Sequence, residues 1–167
     1  MITDEALHLA FQSWSAAKSI DWDLCLTLNT PNRLRTVEDG CDDRWLEREL
    51  KKYYRDVDRS IFGPARQRRG CGVLRWGVLE WSPGVEWHSH ILVRTPDQLT
   101  QDAYLQLLKE KWHKRRDRFC TEDFKPFLFH AQVRKGDFFY YTIKNVFGRA
   151  FKNRGTFDAE NSKLSLS

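Results

Sequence analysis

The stretch Glu80 to Val93, EWSPGVEWHSHILV, sets His88 and His90 one residue apart, with Glu86 just before them and Glu80 a few residues earlier. Alternate side chains of an extended strand share a face, so the two imidazoles point together and Ser89 points away. Glu86 has the parity of the pair, and Glu80, on the far side of a turn, can reach across to it. Two imidazoles and one carboxylate can fill one side of a divalent-metal site, leaving positions open for water or a phosphate oxygen. Such a ligand set suits zinc as well as harder ions. The plain alternative is a packed or solvent-facing histidine pair. His8, His113 and His130 stand alone and are read as structural or surface residues.

A second group lies in FFYYTIKN, where Tyr140 and Tyr141 stand four and three residues before Lys144. On a helix either spacing lets a tyrosine share a face with the lysine. A phenol ionises near pKa ~10 and is a poor nucleophile at neutral pH. A neighbouring metal or ammonium favours the phenolate and stabilises negative charge on a phosphoryl transition state. The alternative is an amphipathic helix with an aromatic core face. The two tyrosines point about 100° apart, so one can be core while the other is functional.

Positive charge supplies the third signal. The net charge is +5, and it is concentrated in Arg66, Arg68 and Arg69 of RQRRG and in KEKWHKRRDRF, which holds Lys109, Lys111, Lys114, Arg115, Arg116 and Arg118. Basic clusters interleaved with aromatics suit a phosphate backbone and stackable bases; a solvated helix face is the bland alternative.

The elements that must position these groups follow from periodicity. The 167 residues, 41% hydrophobic and 31% charged, suit one globular domain. A helix is expected over Thr3 to about Ser19 and a strand over Trp22 to Thr30. Asp43 to about Arg59 carries an apolar stripe at helical period: Trp45, Leu46, Leu50, Tyr53, Tyr54 and Val57. Gly63-Pro64 and RQRRG read as a loop. GVLRWGVLEW and VEWHSHILV form a hairpin around Ser82-Pro83-Gly84. A helix from about Thr100 to Phe119 follows, with Tyr104, Leu107, Leu108 and Trp112 inward. PFLFHAQV reads as a strand and FFYYTIKNVF as a helix. From about Asn153 the chain is polar, so residues 1–152 are read as one domain and 153–167 as a loose tail. The order predicts an α+β fold, an antiparallel sheet with helices mostly on one face, similar to a ferredoxin-like sandwich. The four cysteines form no C-x-x-C, no apolar run reaches transmembrane length, and MITDEALHLAFQ lacks signal-peptide character. An intracellular protein with reduced thiols, and no membrane partner, is expected.

Three pieces now occur in one order: LTLNT (Leu26 to Thr30), His88-Ser89-His90, and Tyr141-Thr142-Ile143-Lys144. Together they resemble the three motifs of rolling-circle replication initiators, the Rep branch of the HUH endonuclease superfamily. The resemblance spans roughly Trp22 to Asn145. It implies a five-stranded antiparallel Rep-type sheet and a divalent ion, Mg²⁺ or Mn²⁺, held by His88, His90 and Glu80, with Glu86 competing for the third place. It implies Tyr141 as nucleophile and Lys144 as its helper, Tyr140 being the alternative in a Y-x-x-x-K reading. Nicking of single-stranded or hairpin origin DNA, through a 5′-phosphotyrosine intermediate, would then initiate replication of a plasmid or virus. Thr27 and Asn29 would shape the floor and contact DNA, and Arg66, Arg68, Arg69, Lys114 and Arg115 would hold its backbone. The middle residue of the histidine motif is usually bulky and apolar; here it is Ser89. No G-x-x-x-x-G-K-[ST] occurs, so unwinding would fall to a separate helicase. The compartment implied is the cytoplasm, or the nucleus for a eukaryotic virus. The rivals are a small HUH single-strand transposase, whose helix usually carries glutamine where Lys144 stands, and a non-catalytic ferredoxin-like nucleic-acid-binding module.

Overall fold

Leucines at every second place of LCLTLN give one apolar face to a strand, while Cys25, Thr27 and Asn29 form the other. That strand, β1 (Leu24–Asn29), lies inside the sheet with a neighbour on each side. The computed structural model describes residues 12, 17–30, 43–82, 86–116, 128–133, 154–157 and 162–164. After β1 come α1 (Asp43–Arg68), β2 (Arg75–Ser82), β3 (Glu86–Val93), α2 (Gln101–Arg116), β4 (Phe129–Val133) and β5 (Arg154–Phe157).

The first four strands lie in the order β4-β1-β3-β2, and short β5 extends the β2 edge. All pairings are antiparallel. β3 therefore separates β1 from β2, which run parallel to each other, as in a split β-α-β unit. The expected α+β class with an antiparallel sheet holds. The expected helices over Thr3–Ser19 and around Tyr141 fall outside the described residues, apart from the end of the first.

Leu24, Leu26, Leu28, Leu79, Ile91 and Val93 point to one side of the sheet and meet both helices there. α1 contributes Leu46, Leu50, Tyr53, Tyr54 and Val57, and α2 contributes Tyr104, Leu108 and Trp112, all buried. Leu107, expected inward, is half-buried. Tyr53 packs edge-on against Trp112 at 5.3 Å between ring centroids, and its hydroxyl donates to the Leu108 carbonyl at 3.1 Å. Truncating an aromatic in such a core costs about 3–5 kcal/mol. A smaller cluster on the opposite side joins Ala17, Trp22, Cys25, Leu74, Trp76, Val78 and Leu92. Cys25 is a core residue there, as expected.

Two expectations change. The loop predicted at Gly63-Pro64 is a break within α1: Gly63 sits at φ 76° and the helix resumes to Arg68. Only glycine adopts that φ readily, and proline starts a new helical turn well because its missing N–H has no partner there anyway. The second correction concerns the polar tail. Arg154–Phe157 pairs with β2 from Val78 to Trp81. Lys163 then exchanges backbone hydrogen bonds with Arg75 at 2.7 and 2.9 Å. Unpaired donors and acceptors on a sheet edge recruit extended chain whatever its polarity.

Candidate metal centre

The β2–β3 register sets Glu80 opposite His88 and Val78 opposite His90. On the other side of β3, Asn29 faces His88 and Thr27 faces His90. Directly opposed residues of an antiparallel pair share a sheet face, so Thr27, Asn29, Glu80, His88 and His90 all lie on the face away from the helices. Local sequence explains the parity. The alternate positions of β3 are Ser89, Ile91 and Val93, which belong to the helix-packed core.

Ser89, the departure from the usual bulky residue, is fully buried and donates its hydroxyl to the Val78 carbonyl at 3.0 Å. A core hydroxyl is tolerated when it is hydrogen-bonded. It also binds the histidine strand to the strand carrying Glu80.

His88, His90 and Glu80 are 5%, 6% and 5% exposed. Nε2 of His90 lies 3.4 Å from Glu80 Oε2, and Nε2 of His88 lies 3.9 Å from the same oxygen. The imidazoles stand at 90° with centroids 5.0 Å apart. One ligand atom from each of the three residues falls within 4.8 Å of the other two. Ligands at about 2.0–2.1 Å from one tetrahedral ion lie roughly 3.4 Å apart, so the trio needs only a small contraction to share an ion. Two neutral imidazoles and one carboxylate are also a donor set that divalent ions accept. The sequence-predicted triad is thus brought together. Glu86 lies opposite Ser82, two pairs further toward the turn than the Glu80–His88 pair, and its side chain falls outside the described residues.

Two threonines of β1's LTLNT motif hold this strand from the far side. Thr27 Oγ1 and His90 Nδ1 are hydrogen-bonded at 3.0 Å. Thr30, 1% exposed, donates to the carbonyl of Trp87 at 2.7 Å. Thr30 was not singled out in the sequence, although its place at the end of LTLNT was visible. His130, read there as a lone histidine, is exposed opposite Thr27 in the β1–β4 register and so lies on the same face.

The basic residues expected to bind DNA occupy the helical layer on the other side of the sheet. Arg66 and Arg68 are exposed in the last turn of α1, with Arg69 just beyond it, and Lys114 is exposed on α2. Arg115 is different. Its guanidinium pairs with Asp56 and, at 3.8 Å, with Glu49, fastening α2 to α1. Arg115 and Asp56, with Arg59, Ser60, Lys111 and Lys114, line a cleft of about 470 Å³ between the helices. Among the described residues, neither basic cluster shares a face with the histidines.

Tyr140, Tyr141 and Lys144 lie outside the described residues. The chain's other three tyrosines are Tyr53, Tyr54 and Tyr104, all buried on the helix side. Burial pushes the phenols of Tyr53 and Tyr104 well above their ordinary value.

No protein-family model matches the chain, and no curated protein matches it in sequence. Among solved structures, it is similar to the N-terminal nuclease domain of minute virus of mice non-structural protein 1. That likeness is at 14% identity and a TM-score of 0.38, covering 81% of this chain and 75% of the other. The viral domain coordinates Zn²⁺ in its active-site pocket and recognises DNA at the origin of replication. No helix among the described residues is long and apolar enough to cross a membrane.

Proposed function

We propose that this chain is a metal-dependent endonuclease and strand transferase that nicks and rejoins single-stranded DNA, initiating rolling-circle replication. The observation that carries this reading is the convergence of His88, His90 and Glu80 on one sheet face, their ligand atoms within 4.8 Å. A divalent ion held there, Mg²⁺ or Mn²⁺ by the motif resemblance and zinc equally by donor chemistry, would supply Lewis-acid polarisation of a scissile phosphate.

Connectivity supports a tyrosine partner. β4 ends at Val133 on one edge of the sheet, and β5 begins at Arg154 on the opposite edge. Gly155, the next residue of β5, is the register partner of Glu80. Residues 134–153, which include Tyr140, Tyr141 and Lys144, therefore link β4 to a strand that enters the sheet beside the metal ligands.

In the reaction, the Tyr141 oxygen attacks the phosphorus in line with the leaving 3′ oxygen. One P–O bond forms and one breaks, giving a 5′-phosphotyrosine and a free 3′-hydroxyl, with no water consumed. Lys144 would favour the phenolate and stabilise charge on the phosphoryl oxygens. The retained phosphodiester lets the same 3′-hydroxyl, or another, reverse the step. Arg66, Arg68, Arg69 and Lys114, on the helix side of the sheet, would hold DNA backbone beyond the nicked phosphate, and unwinding would come from a separate helicase.

The test is a denaturing gel of the protein with pooled single-stranded oligonucleotides, in Mn²⁺ and in EDTA. A slower, metal-dependent band absent from Tyr141→Phe and His88→Ala is expected. DNA binding that persists in EDTA with no adduct under any metal would instead make this a non-catalytic nucleic-acid-binding module.

A further inference from the structure

We infer that Thr27 is a positioning residue for the metal centre: its hydroxyl fixes the tautomer and orientation of His90, so that Nε2 is the ligand atom. The inference rests on the metal reading of His88, His90 and Glu80.

The geometry assigns the two ring nitrogens of His90 separate tasks. Nε2 faces the Glu80 carboxylate at 3.4 Å, on the side where the three ligand atoms converge. Nδ1 faces Thr27 Oγ1 at 3.0 Å, across the adjacent strand. A neutral imidazole carries one N–H and one lone pair. If Nε2 is to bind a metal it must carry the lone pair, so Nδ1 carries the proton and donates it to Thr27 Oγ1. The hydroxyl is an acceptor here, and the same contact prevents the ring from flipping.

Thr27 suits this task because its strand is itself fixed. β1 is paired on both sides, with Thr27 opposite His90 of β3 and His130 of β4. The second tie, from Thr30 to the Trp87 carbonyl at 2.7 Å, holds the backbone just ahead of His88. As a β-branched residue, Thr27 is stiff about χ1, so its hydroxyl is held in place by the strand. The motif strand therefore acts on the metal centre through His90.

The acceptor is a neutral hydroxyl. A carboxylate in the same place would raise the basicity of the imidazole and tighten the metal. Thr27 orients His90 without that added charge, which suits an ion that is held firmly but exchanges.

The experiment compares the full chain with Thr27→Val, which keeps the shape and loses the hydroxyl, and with Thr27→Ser, which keeps the hydroxyl. Long-range ¹H–¹⁵N spectra of metal-free protein read the His90 tautomer, and Mn²⁺ titration followed by electron paramagnetic resonance reads affinity. The wild type and Thr27→Ser should show the Nδ1–H form. Thr27→Val should lose that form and bind Mn²⁺ about tenfold or more weakly. An Nε2–H tautomer in the wild type, or Thr27→Val binding Mn²⁺ as tightly as wild type, would overturn the assignment. Should the wild type show the Nδ1–H form yet bind neither Mn²⁺ nor Zn²⁺, the metal reading falls and the positioning role falls with it. Thr27→Ser also serves if Thr27→Val does not fold: a serine variant with the Nε2–H form counts against the assignment.

Discussion

Glu80 Oε2 and His90 Nε2 face each other at 3.4 Å across the β2–β3 hairpin, on the sheet face opposite α1 and α2. The carboxylate and both imidazoles are nearly buried. Taking a carboxylate out of water is costly unless a cation or hydrogen-bond donors compensate it. A shared divalent ion would provide that compensation and bind the two strands together.

Metal should therefore stabilise the fold. An ion at a hundredfold excess over its Kd adds about 2.7 kcal/mol, which for a chain of this size raises Tm by roughly 5–10 °C. Thermal unfolding in Mn²⁺ or Zn²⁺ against EDTA reads the shift. His90→Ala and Glu80→Gln should abolish most of it, and an equal shift in those variants would place the ion elsewhere.

DNA affinity should depend on salt through the helical layer. Each backbone contact contributes about 0.7–0.9 to the slope of log K against log salt. Lys114→Gln should weaken binding uniformly across sequences and reduce that slope by about one contact, leaving Tm unchanged. Arg115→Gln should lower Tm instead, because its guanidinium joins α2 to Asp56 and Glu49 of α1. Fluorescence anisotropy at several salt concentrations separates the two residues.

Asp58 anchors the end of β2 from below. It is 5% exposed, accepts from the Val73 amide at 2.9 Å, and pairs with Arg75 at 3.1 Å. Arg75 also lies over the Tyr54 ring at 4.3 Å. Asp58→Ala would leave a largely buried guanidinium without its anion, and the expected loss is about 3–5 kcal/mol, measurable by urea unfolding.

Alkaline pH should unfold the protein through its core tyrosines. Burial raises the Tyr53 and Tyr104 phenols above their ordinary value. A folded-state pKa above the unfolded one means the folded state holds its proton more tightly. That stability is complete below the unfolded pKa of ~10 and is lost as pH rises beyond it. Far-ultraviolet circular dichroism from pH 9 to 12 should show the transition, displaced upward in a Tyr53→Phe/Tyr104→Phe variant.

Much of this was legible in the sequence. The hairpin announced itself through the turn chemistry of Ser82-Pro83-Gly84, and the His88/His90 parity followed from reading its second arm as a strand. The choice between Glu80 and Glu86 did not follow. It depends on register, and a shift of one residue exchanges the faces. The basic clusters were plain as charge, but a helix's own periodicity does not say which side of the sheet it will cover. That both helices pack opposite the histidines is set by the crossovers from β1 to β2 and from β3 to β4. Arg154–Phe157 carries almost no strand signal in four residues, and its extended state comes from pairing with β2.

The central claim is that a tyrosine following β4 attacks DNA under the control of the His88–His90–Glu80 centre. Its most direct test is peptide mass spectrometry of protein trapped on a single-stranded oligonucleotide in Mn²⁺ and digested with protease and nuclease. The account predicts a nucleotide linked through phosphate to the peptide containing Tyr141, and no adduct in EDTA or in His90→Ala. A nucleotide on another residue, or an adduct undiminished by EDTA, would contradict it.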